Sequence, residues 1–355
     1  MTRYYLPVKV LATKGTQYLA KEVCSFLDEK ISFSDLMGRG LIELNRFDLS
    51  DHILDCFSND NIRVQIPDIR NHSVVVIHTQ VPDVSQGIIE LFALLDAIKN
   101  AQPKDVLVVF PYMPYSRSDV ESVPRSSVMA FWMAQTINRA GVKKVILLDP
   151  HAPHIKHYFE PAADEISINF LIADYLKNKF LLNCSSEEFV LVFPDTGAFE
   201  RFSKLGNMLN LEMVYLTKTR QDNKENPNPG KVIGEVKGKN CWLIDDEILT
   251  GNTAINAVEL LISNGAKSVS MIAVHAILRK AGENDNFVAE LLQDSALKKI
   301  IITNSVPAAD KVKGKDKFTI WNISSLLAEA ISRSLKGDSL TELHRLEAVK
   351  LYNYK

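Results

Sequence analysis

The sequence predicts an α/β protein with mainly parallel sheets, divided into two tandem halves. Short continuous apolar runs recur along the chain, and segments with helical apolar spacing separate them. Residues 139–149 and 264–275 also share one rhythm of helix end, glycine, basic turn and buried strand, which suggests a duplicated unit. The chain has 355 residues, 46% of them hydrophobic, and is therefore long enough for two domains.

Strands are predicted where apolar runs lack polar alternation, as is typical of parallel strands buried on both faces. In chain order these runs are 74–77, 106–110, 145–148, 189–193, 213–216, 242–244, 269–274 and 300–303. Helical spacing predicts the elements between them, at 87–101, 126–141, 170–182, 198–209, 253–266 and 324–335. The polar stretch 221–231, rich in asparagine and proline, is predicted as a mobile loop or a hairpin.

The boundary between the two halves is predicted near residue 160. Residues 1–160 would form the N-terminal domain and residues 161–323 the C-terminal domain. Residues 324–355 are expected to contain a helix that packs back on the N-terminal half.

Composition and charge exclude several classes of protein. The formal net charge is −2, from 41 basic and 43 acidic residues, without the basic stripe expected of a nucleic-acid-binding protein. No window reaches the roughly 18 uncharged apolar residues that span a bilayer, and the start does not read as a signal peptide. We therefore expect a cytoplasmic protein with neither nucleic acid nor membrane as a partner.

The stretch CWLIDDEILTGNTAINAVELL (241–261) reads as a strand, a short loop and a helix. A turn between a strand and a helix presents free peptide N–H groups to an anion, and glycine at position 251 lets the backbone approach it closely. The adjacent carboxylates Asp245 and Asp246 would repel a phosphate, so we expect them to address sugar hydroxyls or a metal. A sugar phosphate satisfies both ends of the loop, while the alternative is an acidic loop whose threonine merely caps the helix.

Seven segments in one order resemble the ribose-phosphate diphosphokinase (phosphoribosyl-pyrophosphate synthetase) family. Besides the loop above, they are FSNDNIRVQI (57–66), FPYMPYSRSD (110–119), LLDPHAP (147–153), VFPDTGAFERFSKLGNML (192–209), LTKTR (216–220) and IIITNSVP (300–307). The resemblance covers about residues 55–335 and identifies the chain as a divergent member. It implies two tandem phosphoribosyltransferase-like (Rossmann-like) domains and transfer of the diphosphoryl group of MgATP to the anomeric hydroxyl of ribose 5-phosphate, with release of AMP.

The resemblance also assigns roles to individual residues. Lys218 and Arg220 match the catalytic cations, and His151 and Asp195 match ligands of Mg²⁺, the implied cofactor. The ribose 5-phosphate site would comprise Asp245, Asp246, Thr250, Gly251, Asn252 and Thr253. The ATP side would comprise Phe57, Asn59, Arg117, Asp119 and Arg125. Since a neighbouring subunit supplies the adenine pocket in this family, the resemblance implies a dimer-based homo-oligomer, up to a hexamer.

The chain departs from the family pattern at several places, one of them Ala276, which follows His275 where the family usually has glycine. Its nucleotide-side loop reads SRSDVESVPR (116–125), where the family usually has ARQDKK and a lysine-rich continuation. Losing such cations opposite a triphosphate should weaken binding by about 1 kcal/mol or more per contact. Asn61 stands where a glutamate usually contacts the adenine, and Leu249 replaces an aspartate of the phosphoribose loop.

These departures leave other functions open. The first alternative is a catalytically weak or inactive homologue that acts as a regulatory or assembly subunit. The second is a phosphoribosyltransferase, which would need a base-binding hood on a single domain.

Two motifs also have other interpretations. The HxxHxxH pattern at 151–157 suggests zinc, but Pro153 interrupts the helix that such ligands would need. Without the family match, Lys218 and Arg220 would read as an ordinary surface pair.

Overall fold

The computed structural model describes residues 8–30, 52–80, 83–181, 185–219 and 228–344. The chain divides into two compact units. The first comprises Met1–Ile166 with Ile323–Leu343, and the second comprises Ser167–Asn322. Among the residues within the described ranges, no helix is long and apolar enough to cross a membrane.

The first unit is built on five parallel strands in the order β1-β4-β5-β6-β7. Its elements are β1 (Val8–Ala12), α1 (Gln17–Lys30), β2 (Ile53–Cys56), β3 (Ile62–Gln65), β4 (Ser73–Ile77), α2 (Val84–Asn100), β5 (Asp105–Phe110), α3 (Met129–Arg139), β6 (Lys144–Leu148) and β7 (Asp164–Ile166). Every residue of β4 is buried, as expected of a strand covered on both faces. Strands β2 and β3 form a separate antiparallel hairpin.

The second unit is built on seven strands in the order β10-β9-β8-β11-β12-β13-β14. Its elements are α4 (Asn169–Leu176), β8 (Phe189–Phe193), α5 (Thr196–Phe202), α6 (Lys204–Leu209), β9 (Glu212–Thr219), β10 (Asn228–Ile233), β11 (Asn240–Ile248), α7 (Asn252–Ser263), β12 (Ser268–Ala276), α8 (Phe287–Asp294), β13 (Leu297–Thr303), α9 (Ala309–Val312) and β14 (Phe318–Trp321). All neighbouring strands are parallel except β10, which runs antiparallel to β9.

The last helix, α10 (Ser324–Lys336), belongs to the first unit. The hydroxyl of Ser324 donates to Glu22 Oε2 of α1 at 2.7 Å. Lys144 Nζ at the start of β6 donates to the carbonyl of Ser334. The first unit is therefore completed by chain that follows the second one in sequence.

The predicted α/β class with mainly parallel sheets is confirmed, and each predicted apolar run lies within a strand. Two predicted helices differ in detail. The segment 198–209 is broken at Ser203 into α5 and α6, and the segment 170–182 continues beyond α4 as a π-helical turn at Lys177–Leu181. Strand β10 pairs with β9 as one side of a hairpin, while residues 220–227 lie outside the described residues.

Candidate active site

The phosphoribose loop, defined as residues 245–253, lies at the carboxyl end of β11. Strand β11 runs through both carboxylates and ends at Ile248, and α7 begins at Asn252. Asp245 and Asp246 are buried, with 9% and 3% of their surface exposed, whereas Thr253 is exposed. The fold thus provides carboxylates on the strand side and the first turn of a twelve-residue helix on the other side.

Gly251 makes the turn from β11 into α7. Its φ of 80° lies in the left-handed region, which side-chain-bearing residues rarely adopt. Its carbonyl accepts the first helical bond, from Ile255 N at 3.0 Å. A Cβ at this position would lie 3.2 Å from Cγ1 of Val288 in α8, so a side chain here would also require α8 to give by a few tenths of an ångström.

Arg201, on α5, neutralises part of the acidic end of this loop. Its Nη2 donates to Asp246 Oδ1 at 2.8 Å, and both side chains are largely buried, with 14% and 5% exposed. Burial raises the pKa of Asp245 well above its usual value, and the charges of Asp246 and Asp195 raise it further. Arg201 opposes this rise, so the charges of Asp195, Asp246 and Arg201 all act on Asp245.

The predicted catalytic cations follow β9, which lies beside β8 in the same sheet. Lys218 is the penultimate residue of β9, and its backbone pairs with Pro229 of β10. Because β8, β9 and β11 are parallel, their carboxyl ends meet at the edge that carries the phosphoribose loop. The side chain of Lys218 and the whole of Arg220 lie outside the described residues, so their roles stay predictions.

The two predicted magnesium ligands follow strands of different units. Asp195 follows β8 and caps α5, its Oδ1 accepting from Ala198 N at 2.9 Å. His151 follows β6 in the first unit and is half-buried. In the second unit, Asp195, Asp245 and Asp246 offer carboxyl oxygens that act on one another electrostatically, and oxygen is the ligand type that Mg²⁺ prefers.

The nucleotide-side loop, defined as residues 111–128, connects β5 to α3 and carries Arg117, Asp119 and Arg125. Both arginines are exposed, whereas Asp119 is buried. Ser118, which replaces the family's glutamine, ties the loop to α3. Its hydroxyl donates to Ser127 O at 3.0 Å and accepts from the amide of the first residue of α3 at 3.2 Å.

Asp119 is held by residues of the HxxHxxH segment, which forms a 3-10 helix at Pro153–Tyr158. His154 Nε2 lies 3.1 Å from Asp119 Oδ2, and the hydroxyl of Tyr158 donates to the carbonyl of Asp119 at 2.6 Å. Burial, together with the charge of Asp119, raises the pKa of Tyr158. The contacts of His154 and Tyr158 therefore fasten the nucleotide-side loop.

Replacing His154 with glutamine should loosen this loop. The His154 side chain is 46% exposed, so the pair contributes modestly, and we expect amide hydrogen exchange at residues 120–127 to accelerate about two- to threefold. The control is His157→Gln, a change at an exposed histidine one turn further along. Equal exchange rates in the two variants would contradict the role assigned to His154.

The predicted adenine-side residues lie in the turn between β2 and β3. Phe57 N donates to Asn61 O at 2.8 Å, which closes the turn, and Asn59 Oδ1 accepts from Asn61 N at 3.3 Å. The Phe57 ring is 53% exposed, and the guanidinium of Arg63 lies 5.8 Å from its centre. An exposed aromatic ring beside a cation can stack on a base that it meets from outside.

Arg201 contacts the candidate site but is absent from the residues predicted from the sequence. It lies within the segment 192–209 that carries the resemblance, six residues after Asp195, but nothing in its spacing reveals a partner 45 residues away in Asp246. The sequence feature that could have revealed Arg201 is the excess of acidic residues at this edge of the sheet. Three acids at neighbouring strand ends require a cation nearby, and α5 offers one.

Models of two protein-family domains match the chain. The N-terminal domain of ribose phosphate pyrophosphokinase matches residues 8–141, and the phosphoribosyl synthetase-associated domain matches residues 210–345. The ribose-phosphate pyrophosphokinase of Aquifex aeolicus is 30% identical over 342 residues, covering 95% of this chain and 98% of its own. That of Bacillus caldolyticus is 32% identical over 340 residues, covering 95% and 97%.

A crystal structure of phosphoribosylpyrophosphate synthetase from Mycobacterium smegmatis shares the fold. The match has a TM-score of 0.79 at 24% identity and covers 93% of this chain and 99% of that one. Since both family models match, and relatives at 30% identity or more align almost from end to end, the chain belongs to the ribose-phosphate pyrophosphokinase family.

Proposed function

We propose that this chain is a ribose-phosphate diphosphokinase. It transfers the diphosphoryl group of MgATP to the anomeric hydroxyl of ribose 5-phosphate, giving 5-phosphoribosyl 1-diphosphate and AMP. The observation that carries the proposal is the almost end-to-end match to relatives named ribose-phosphate pyrophosphokinase, at 30% and 32% identity. The paired carboxylates and the glycine turn of the phosphoribose loop support the proposal independently of the similarity to these relatives.

The reaction moves one diphosphoryl group between two oxygens. The anomeric oxygen attacks the β phosphorus of ATP, the bond from that phosphorus to the oxygen shared with the α phosphate breaks, and AMP leaves. The anomeric hydroxyl loses its proton as the new bond forms. Transfers of this kind depend chiefly on holding two anions in line and on neutralising charge, rather than on a protein nucleophile.

The ribose side of the site follows from the loop. We propose that Asp245 and Asp246 accept hydrogen bonds from ribose hydroxyls, with Arg201 pairing with Asp246 and fixing its orientation. The turn from Thr250 to Thr253, through Gly251 and Asn252, would bind the 5-phosphate with backbone and hydroxyl donors. Lys218 and Arg220 would stabilise the transferring group through fixed positive charges.

The ATP side is assigned to the first unit. We propose that Arg117 and Arg125 contact the triphosphate, that Asp119 orders their loop, and that Phe57 and Asn59 contact the adenine of a neighbouring subunit's ATP. The exposure of Phe57 supports the last assignment, since a ring on the surface is accessible to a second copy. We further propose that the protein assembles as a dimer-based homo-oligomer and that it is located in the cytoplasm.

Mg²⁺ is the proposed cofactor, with His151 and Asp195 as its protein ligands. The surplus of carboxylate oxygens in the second unit suits a hard divalent cation. When bound, it would neutralise phosphate charge and orient the triphosphate.

A second candidate function is a catalytically weak regulatory or assembly subunit. The observation that favours it is the nucleotide-side loop, where Val120 and Val123 are 55% and 61% exposed. Glu121 adds a negative charge there, and its carboxylate accepts from the backbone N–H of Arg125. A loop with these side chains offers less positive charge to a triphosphate than the family's usual lysines. A phosphoribosyltransferase is disfavoured, because the two family models together account for both units.

The deciding experiment is AMP formation from MgATP with ribose 5-phosphate, with Lys218→Ala as the inactive reference. The synthetase proposal requires the wild-type rate to exceed the reference and to vanish when ribose 5-phosphate is omitted. If the two proteins form AMP equally slowly at every Mg²⁺ concentration, the chain is not a synthetase. Calorimetric binding of ribose 5-phosphate without turnover would then identify the regulatory subunit.

A further inference from the structure

The segment after β12 lies directly against the phosphoribose loop. The amides of Ile277 and Leu278 both donate to the carbonyl of Ile248 at 3.0 Å, and the amide of Arg279 donates to the carbonyl of Leu249 at 2.9 Å. These bonds continue the pairing of β11 with β12 past the ends of both strands. The backbone of Arg279 is therefore fixed beside the residue that precedes Thr250.

This position is held at a cost in backbone strain. Leu278 has a φ of 49°, in the left-handed region, although its side chain is bulky and fully buried. Lys311, on α9, donates from Nζ to the carbonyls of Ile277 and Leu278 at 2.7 and 3.3 Å. Such strain persists only where the surroundings enforce it, and it concentrates at binding sites.

Between β12 and α8 the segment carries two basic residues, Arg279 and Lys280, followed by two acidic ones, Glu283 and Asp285. Arg279 is exposed, and among the described residues it has no ion-pair partner. Burial lowers the pKa of Lys311, the charge of Arg279 lowers it further, and Asp285 acts in the opposite sense. The neighbouring Lys280 is already engaged, lying 3.7 Å from Glu283 and 4.8 Å from the centre of the Phe287 ring.

Leu249 explains why the charge of Arg279 is not neutralised from the loop. The family pattern has an aspartate at this position, and a carboxylate there would stand on the residue whose carbonyl binds the Arg279 amide. Leucine offers no charge. The departure that removes an acid from the loop thereby leaves a guanidinium beside it available to a ligand.

We propose that Arg279, supported by Lys311, forms an anion subsite of the phosphoribose loop that takes the diphosphate group of phosphoribosyl diphosphate. This inference rests on the proposed function, because the turn at Thr250–Thr253 is assigned to the 5-phosphate and the diphosphate is the second anion of that ligand. The planar guanidinium fork suits phosphate oxygens in a bidentate arrangement. Arg279 is thus a specificity-determining residue that distinguishes the diphosphorylated sugar from ribose 5-phosphate.

Calorimetric titration of Arg279→Ala with both ligands tests the proposal. We expect phosphoribosyl diphosphate to bind about tenfold more weakly than to the wild type, the loss expected for one charge-assisted contact, and ribose 5-phosphate to bind within about twofold. The matched control is Lys280→Ala, which removes an adjacent positive charge and should change neither affinity by more than about twofold.

Leu249→Asp provides a second variant that leaves Arg279 in place. As a single substitution, Leu249→Asp should weaken the binding of phosphoribosyl diphosphate. When it is added to Arg279→Ala, the further loss should be smaller, because the new carboxylate acts partly by pairing with the guanidinium. Equal losses for both ligands in Arg279→Ala, or equal effects of Arg279→Ala and Lys280→Ala, would overturn the subsite. A wild-type protein that binds neither ligand would instead overturn the proposed function on which the subsite rests.

Discussion

Replacing Arg201 with methionine is expected to lower the free energy of unfolding of the second unit by about 3 kcal/mol. Methionine preserves most of the volume but removes the guanidinium that lies 2.8 Å from Asp246 Oδ1. Asp246, whose side chain is 5% exposed, then loses the guanidinium that it pairs with, while the carboxyl groups of Asp245 and Asp195 stay nearby. Burying an uncompensated charge costs more than the pair itself contributes.

The measurement is urea unfolding followed by tryptophan fluorescence in a Trp132→Phe background. The chain has three tryptophans, and the other two, Trp242 and Trp321, both belong to the second unit. The matched control is Lys280→Met, which removes a pair with Glu283 in the same unit whose side chains are 39% and 37% exposed. No measurable shift of the midpoint is expected there, because water screens an exposed pair.

The cost of Arg201→Met should also depend on pH. The pKa of Asp245 is raised in the folded protein, so above its ordinary pKa the folded state binds more protons than the unfolded state. Stability therefore falls as pH rises through the interval between the two pKa values. Removing Arg201 raises the folded pKa of Asp245 further and widens that interval. The deficit should grow as pH rises above the folded pKa of Asp245 in the wild type, and a deficit that does not vary with pH would contradict this account.

The parallel sheets were predictable from the sequence because strands covered on both faces consist of continuous runs of apolar residues. Strand β8, FVLVF, is fully buried, and β12 is buried over all but its first residue. Strand β1 was not predicted. It begins with two half-buried residues, Val8 and Lys9, and so lacks a continuous apolar run. The β2–β3 hairpin has mostly exposed or half-buried residues, so its pairing leaves little hydrophobic pattern.

The phosphoribose loop was predictable because its chemistry is local: strand, carboxylates, glycine and helix follow one another in the chain. Arg201 and Arg279 were not, since each meets the loop from another element. The left-handed conformation of Leu278 has no local signal either, because leucine does not favour it and packing enforces it. Long-range contacts of this kind account for the parts of the site that the sequence did not predict.

In the nucleotide-side loop, a residue that departs from the family pattern has a structural role of its own. Ser118 cannot extend toward a nucleotide as glutamine would, but its short hydroxyl bridges Ser127 and the start of α3. Asp119 is buried and paired with His154. The loop is therefore ordered by internal contacts, and its side chains facing solvent include Val120 and Val123. The loop is thus ordered but carries fewer positive charges than the family pattern, and the rate of AMP formation shows whether the remaining charges suffice.

Gly251→Val is expected to weaken the binding of ribose 5-phosphate about a hundredfold, because strain at one such residue is of the order of 1–3 kcal/mol. Valine is branched at Cβ and does not tolerate a φ of 80°. Its Cβ would also lie 3.2 Å from Val288 Cγ1, so α8 or the turn must shift. Either adjustment moves the peptide N–H groups proposed to bind the 5-phosphate. Calorimetric titration with ribose 5-phosphate measures the change.

Gly265→Val separates the loss of a binding turn from the general cost of valine in this conformation. Gly265 has a φ of 85°, and a Cβ there would lie 3.2 Å from Lys237 Cγ, the same crowding as at Gly251. It lies just beyond the other end of α7, so its strain is comparable but remote from the phosphoribose loop. We expect Gly265→Val to lose stability while binding ribose 5-phosphate as the wild type does. If both variants lost affinity equally, the turn at Gly251 would have no particular role in phosphate binding.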